Sequence, residues 1–305
     1  MGNLTSECSH RIGSAIARMK GWIVGRTILS LLLSLPLLFP GPAAAQSPPI
    51  IDLHLHFAEA WDIDAFVKQM DALGVAKAGN AAALGSPDAL ALEWARKYPD
   101  QFIPFAGKEA IWDFIRSDGE RAWTLQAPAV VTYLQQLEAA LKAGQFKGIG
   151  EINIFPGPRF PADSPLMRRL WSLSAAFRVP LSIHMDARDE PVAEMERLLA
   201  SDRRGTLIWA HGGGAGPALV RRLMRAYPNL YADLSGRLPA LTRIREWKVL
   251  LEELPDRFVI GSDVTTLAEF VDTIRSWRKI LDELPPATAR KLAYENAERL
   301  LNPGR

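Results

Sequence analysis

Six side chains carry the chemistry this sequence offers: His54, His56, Glu151, His184, His211 and Asp263. The first pair lies in Ile51-Asp52-Leu53-His54-Leu55-His56, an apolar run ending in two histidines one residue apart. In a β-strand residues i and i+2 share a face, so the two imidazoles are expected to point the same way. Two neighbouring imidazoles on a rigid element suit a transition metal. Glu151 sits in Gly148-Ile149-Gly150-Glu151-Ile152 and Asp263 in Val259-Ile260-Gly261-Ser262-Asp263, both otherwise apolar. A carboxylate in such a run is costly to bury unless it is paired or meets a cation. Each residue also has an ordinary reading: a hydrogen-bonded core histidine, a salt-bridge partner for Glu151, a helix cap for Asp263. Their common placement argues for a metal site instead.

That placement follows from the elements between them. Short apolar runs alternate with amphipathic helical stretches, the pattern of βα units and a parallel sheet. The strands are expected at 50–56, 75–80, 102–106, 148–154, 180–185, 206–211, 230–235 and 258–263. Eight strands in alternation make a (β/α)8 TIM barrel the best fit, as one domain over 46–305. All six residues then fall at C-terminal strand ends, where barrel enzymes build their sites. Gly74 and Gly144 are placed to end helices, Ser164-Pro165 to begin one, and Thr266-x-x-Glu269 to cap another, with an inner stripe of Leu267, Phe270, Ile274, Trp277 and Leu281. Residues 108–128 break the rhythm with Trp112, Phe114 and Trp123. They read as an inserted loop with a short helix, either a wall of the substrate site or a segment packed on the barrel.

The first 45 residues read differently. Arg11, Arg18, Lys20 and Arg26 precede an apolar stretch at 27–39, and Ala43-Ala44-Ala45 offers a cleavage site. At roughly 1.5 Å per residue that stretch is too short to span a bilayer of about 30 Å. A cleavable signal peptide over 1–45 is expected, with export to the periplasm or outside the cell and no membrane anchor afterwards. The whole chain carries 36 basic and 34 acidic residues, +2. Without the signal the balance is 32 to 33, or −1, so nothing suggests a nucleic-acid surface. The single cysteine, Cys8, leaves with the signal, so the exported chain has no disulfide.

Taken together these residues resemble the amidohydrolase superfamily of metal-dependent barrel hydrolases: HxH on strand one, His on five and six, Asp on eight. The ending Tyr294-Glu295-Asn296-Ala297-Glu298-Arg299-Leu300-Leu301 is similar to the close of the amidohydrolase-2 branch. The Gly-Glu-Ile segment at Glu151 resembles that of TatD-type hydrolases, where a carboxylate replaces the carbamylated lysine that bridges two metals. The sequence departs from TatD in continuing Asn153-Ile154-Phe155-Pro156. The resemblance implies one or two divalent ions, two preferred, with zinc expected from the ligand types. In the two-ion version His54, His56 and Asp263 bind the deeper ion, His184 and His211 the second, and Glu151 bridges. In the one-ion version His54, His56, His184 and Asp263 hold the metal and His211 is free for acid–base work. Asp263 would move the proton as water adds, the metal lowering that water's pKa towards about 7. Arg188 and Arg237 lie on loops at the same face and could hold a substrate carboxylate or phosphate; surface ion pairing is the other reading. The Gly212–Gly216 loop could offer N–H groups to an anion, or be a tight turn. Asp233 either bonds a ligating histidine or caps its loop.

The expected function is a secreted metal-dependent hydrolase of a small amide, lactone or ester. The alternative is a one-metal, non-oxidative decarboxylase of a small unsaturated or aromatic acid. A TatD-like nuclease and a non-catalytic metal-binding barrel stand lower. Substrate identity is not legible in the sequence, because specificity in barrels resides in loops.

Overall fold

Nine short strands, each followed by helical or turn segments, are laid down in chain order in a computed structural model that describes residues 47–56, 58–80, 88–154 and 159–303. The expected signal peptide lies outside these residues, as do Phe155 and Pro156. No helix among the described residues is long and apolar enough to cross a membrane.

The strands are β1 (Ile50–Leu55), β2 (Val75–Asn80), β3 (Phe102–Ile103), β4 (Phe105–Ala106), β5 (Gly148–Asn153), β6 (Pro180–His184), β7 (Thr206–Trp209), β8 (Leu230–Asp233) and β9 (Phe258–Val259). Every pairing between them is parallel, in the orders β1-β2-β3 and β4 through β9. β3 and β4 together occupy the expected third position. Pro104 interrupts it because proline has no N–H for the ladder, yet its carbonyl still accepts from Lys147 N at 2.8 Å. All eight expected barrel positions are therefore filled, and the third is split.

The ring closes between β1 and the residues after β9. Asp52 bridges Ile260, and Leu53 N donates to Ile260 O at 2.9 Å. Strand eight is shorter than expected because its chain turns here: Ser262 N and Asp263 N both donate to His54 O, at 3.1 and 2.6 Å, and Asp263 adopts φ 56°. Strand six likewise stops at Trp209, since Ala210–Gly214 coil into a tight turn.

Helix signals acted where they were placed. Gly74 ends the helix Ile63–Leu73 in the left-handed region. Ser164 accepts from Met167 N at the start of Pro165–Phe177, and Thr266 accepts from Glu269 N at the start of Leu267–Asp282. Of the stripe predicted for that last helix, Phe270, Ile274, Trp277 and Leu281 are buried, whereas Leu267 in the first turn is exposed. Between β8 and β9 lie two helices, Leu238–Arg243 and Arg245–Glu253.

Inside the ring, Ile51, Leu53, Ile103, Phe105, Ile208 and Val259 form one apolar cluster with Ala297 and Leu300. These strand residues come from barrel positions one, three, six and eight, which are not all neighbours, so they meet across the interior. Ala297 and Leu300 belong to the final helix Asn296–Leu301. Asn296, fully buried, donates to the carbonyls of Pro255 and Phe258 at 2.7 Å each. Arg299 adds a bond to Asp256 O at 2.9 Å. The Asn-Ala-Glu-Arg-Leu ending is therefore a plug for the barrel floor, tied to the start of β9.

Asp52 shares the closing seam. Its Oδ1 accepts from His54 N and Ser262 N at 3.0 Å each, while its Oδ2 is buried without a partner. Burial raises its carboxyl from 3.8 to about 6 against the pull of those hydrogen bonds. A carboxyl that binds its proton more tightly when folded contributes stability that is full below about pH 4 and lost as pH rises through 6. In chelator-treated protein, the stability of wild type relative to Asp52→Asn should fall by about 2 kcal/mol between pH 4 and 6. Urea unfolding across that range measures it, and a flat difference would refute the assignment.

Candidate metal centre

The residues that close the barrel also deliver its polar side chains to one place. His54 points from the end of β1 and His56 from one residue beyond it. Glu151 is in the middle of β5, and His184 ends β6. His211 and Asp263 lie past the ends of β7 and β9, not on strands as expected, and both have positive φ, 58° and 56°. For non-glycine residues that region costs about 1–2 kcal/mol. Gly212, Gly213 and Gly214 continue the left-handed turn at φ 55°, 61° and 69°, where a side chain at Gly213 would collide with the Trp209 ring. The glycine loop is thus the tight turn, aiming His211 back into the mouth. Two buried indoles anchor the neighbouring loops: Trp209 donates to Met185 O at 2.8 Å and Trp277 to Gly261 O at 3.0 Å.

All six expected ligands converge. His54 Nε2, His56 Nε2 and Asp263 Oδ1 lie 2.8 to 3.3 Å from one another. His184 Nδ1, His211 Nε2 and Glu151 Oε1 lie 3.0 to 3.7 Å apart. Glu151 faces both groups, with Oε1 3.5 Å from His54 Nε2 and Oε2 3.7 Å from His56 Nε2. Donors bound at about 2.1 Å to one ion stand about 3.0–3.4 Å apart, so each triad comes within a few tenths of an ångström of the spacing of a metal face.

Hydrogen bonds set which nitrogens face inward. His54 Nδ1 donates to Asp233 Oδ2 at 3.0 Å, and His211 Nδ1 to the Ser235 carbonyl at 3.2 Å, so both rings present Nε2 to the centre. Asp233 plays both roles the sequence left open, because its Oδ1 also accepts from His211 N, Ser235 N and the Ser235 hydroxyl. His56 differs. Lys108 Nζ donates to its Nδ1 at 3.2 Å, so its proton lies on Nε2 and goes to Asp263; an ion at Nε2 would take the place of that proton.

The electrostatics suit a cation. Burial alone would push the His54 imidazole down, but the Glu151 and Asp233 carboxylates outweigh it and hold it well above its usual value. Burial would likewise lift Glu151, and His54, Lys108 and the His184 and His211 hydrogen bonds instead hold it well below the carboxylate range. Asp263 is lowered by His54 and His56 against the same burial. His211 is raised, burial being outweighed by its Glu151 bond and the Asp233 charge. His56 is lowered, by burial and then by Lys108.

Lys108 was missed by sequence reasoning, which placed it at the start of an insert. Its ammonium is buried and donates to Glu151 Oε2 at 2.7 Å. It follows β4 by two residues, at the same C-terminal strand end that identified the histidines, and that rule would have found it. The insert itself packs on the barrel: it forms helices Lys108–Asp118 and Glu120–Trp123, with Ile111, Ile115 and Ala122 buried and Phe114 and Trp123 against the core.

Above the centre lies a pocket of about 330 Å³, lined by His184, Met185, Asp186, Ala210, His211, Gly213, Gly214, Ser235, Gly236, Arg237 and Asp263. Of the two arginines expected here, Arg237 lines it, with Nη2 donating to Ala215 O at 3.1 Å and a buried Nε that has no partner. Arg188 instead lies outside that lining, its exposed guanidinium 3.6 Å from Asp186.

The sequence pattern of the Amidohydrolase family (Amidohydro_2) matches residues 51–302. The chain belongs to the amidohydrolase family. No curated protein matches the amidohydrolase described here, and several solved structures do. A 2,6-dihydroxybenzoate decarboxylase from Rhizobium is 19% identical, with a TM-score of 0.58 over 84% of this chain and 99% of that one. A dihydroxybenzoic acid decarboxylase from Polaromonas sp. JS666, with bound manganese and 2-nitroresorcinol, is 17% identical, with a TM-score of 0.58 over 85% and 98%. A probable 2-pyrone-4,6-dicarboxylic acid hydrolase from Acinetobacter baumannii, with citric acid bound, is 15% identical, with a TM-score of 0.57 over 83% and 99%. At these identities the likeness establishes the barrel fold.

The Asp233–His54 bond should matter to metal affinity, since partners that orient a ligating histidine typically contribute 10–100-fold. Asp233→Asn should weaken Mn2+ or Zn2+ binding by about that factor in a competition titration with a chelating dye. Unchanged affinity would show that His54 needs no such orientation.

Proposed function

We propose that this amidohydrolase is an exported hydrolase that adds water to a small amide, lactone or ester carrying an anionic group. The observation that carries the reading is the pair of ligand triads opening on a pocket whose wall includes Arg237. A divalent ion bound there would act as a Lewis acid and make water available as a nucleophile near neutral pH. Zinc is the ion expected from the ligand types, and manganese, carried by the Polaromonas structure, is the other to test.

The chain's own residues supply the rest. Asp263 reaches the pocket and is held as a carboxylate by His54 and His56, so it is placed to take the proton from attacking water and return it to the leaving group. His211 also lines the pocket, with Nδ1 occupied by the Ser235 carbonyl and Nε2 turned to His184. That leaves its Nε2 to hold or pass a proton. The guanidinium of Arg237, with donors to spare, suits a substrate carboxylate, to which arginine can give paired charge-assisted bonds.

Decarboxylation of a small aromatic or unsaturated acid is the second reading. Arg237 favours it equally, since it would hold a carboxylate, and His211 would protonate the carbon from which CO2 departs.

A panel of lactones, esters, amides and hydroxybenzoates, followed by chromatography of the carboxylic acid product and by CO2 release, separates the two. Acid release without CO2 is expected; CO2 evolution without added water would replace the first reading with the second. With the best substrate, Arg237→Met should raise KM by about 10–100-fold, the worth of a charged hydrogen bond. A change confined to kcat would remove Arg237 from substrate binding. For export, the mature protein recovered from the periplasm should begin at Gln46, and N-terminal sequencing that finds residues 1–45 retained would refute it.

A further inference from the structure

The final helix that plugs the barrel floor is tied to one side of it, through Asn296 and Arg299 at the start of β9. On the other side its last residues leave a cavity of about 280 Å³. Leu301 and Asn302 line it, with Lys77 from β2, Phe102 and Ile103 from β3, and Lys147 just before β5. We propose that this cavity is a second ligand site, which takes a small organic anion. A carboxylate or phosphate would meet Lys77 and Lys147, and an apolar body would lie against the wall of β3 and Leu301. The cavity shares no lining residue with the pocket above the metal centre.

Lys77 carries the argument. β1 and β2 pair Ile50 with Val75 and then Ile51 with Lys77, so β2 holds one extra residue, Ala76. Successive side chains of a strand alternate between its faces, and the extra residue reverses the alternation. Val75 and Ala78 pack with the helices outside the ring. Lys77 shares the inward face of Ile51, as Gly79 shares that of Ile103. A lysine therefore stands in the interior of the barrel near its floor, where branched apolar side chains are the rule. It is half-buried, and among the described residues its ammonium makes no ion pair or hydrogen bond. A cation drawn partly out of water without a counter-charge is unfavourable, and an apolar residue would fill the same position without that cost.

The rest of the lining suits an anion with an apolar body. Lys147 is exposed at the rim, its N bonded to Pro104 O at 2.8 Å, and its ammonium has no ion pair among the described residues. Asp100 also lines the cavity and pairs with neither lysine. Gln145 and Asn302 bring amides that can donate to further oxygens of the ligand. An adjoining cavity shares Ala95 and Gln145 and is lined by Arg96, a third cation beside the same wall. Ligand sites are commonly pockets of about 300–1,000 Å³ with apolar walls and a few convergent polar groups. This cavity lies at the small end of that range, which suits a ligand of one ring.

The test is a fluorine NMR titration of the full purified protein with three probes of similar shape: 4-fluorobenzoate, 4-fluorophenyl phosphate and the neutral 4-fluorobenzyl alcohol. At least one of the anions should give a bound resonance, and which of them does so names the head group. Lys77→Met should weaken that binding about 10–100-fold, the worth of a charged hydrogen bond, and Lys147→Met should weaken it by less. Arg237→Met should leave it in place, since Arg237 lines the pocket at the other end of the barrel. Equal affinity in wild type and Lys77→Met would overturn the proposal, as would binding lost in Arg237→Met but not in Lys77→Met. The alcohol binding as tightly as the anions, or no bound resonance for either anion, would overturn it too. Should Lys77→Met fail to fold, Lys77→Gln is read in its place by the same criteria.

Discussion

Everything at the mouth of this barrel depends on one carbonyl. His54 O accepts from Ser262 N and Asp263 N together, so the backbone that carries a histidine of the first strand also fixes the carboxylate that follows the last. The bond closes the ring and sets the ligand spacing in one step. Asp263 donates to it from the left-handed region, and the buried Trp277 indole on Gly261 O holds the backbone two residues before. A site built across the closing seam cannot loosen without opening the barrel, which is why strain is tolerated there.

Charge is the second constraint. Glu151 and Asp233 are each 1% exposed, and such groups remain ionised only among donors. Here the donors are His54, Lys108, His184 and His211, arranged so that each carboxylate oxygen meets at least one. The same field that keeps the acids ionised raises the basicity of His54 and His211. A proton and a metal ion therefore compete for one electrostatic well, as deprotonation of ligands during metal binding requires.

Much of this was legible in the sequence. Periodicity located all eight barrel positions, and placement at strand ends brought six polar side chains to one mouth. Caps at Ser164 and Thr266 and the helix stop at Gly74 depend on bonds within a few residues, which is why local sequence carried them. The missing parts were non-local. Pro104 splitting the third strand position was visible as a residue but not as a seam, since Lys147 completes the ladder there. Asp263 leaves its strand because of bonds to His54 that no window of sequence contains. Lys108 escaped notice because a lysine before an aromatic, charged stretch looks like a surface residue, and only the approach of β5 makes it an internal cation.

The depth of the side chains then divides their labour. His54, His56, Glu151, Asp233 and Lys108 are buried, and their ring and carboxylate atoms are largely bonded to one another. His184, His211, Asp263 and Arg237 are partly open and line the pocket. A group sealed among protein donors can bind and polarise but cannot deliver a proton to something that arrives from outside. A group at the pocket wall can do that, but only if the sealed layer holds its geometry. Asp263 belongs to both layers, bonded to His56 below at 2.8 Å and facing the pocket above, and it is the carboxylate that does so among the described lining residues nearest the buried histidines. Its second oxygen stands 3.7 Å from His211. That double membership, rather than its charge, sets Asp263 apart from Glu151, the deeper carboxylate, which is sealed among protein donors.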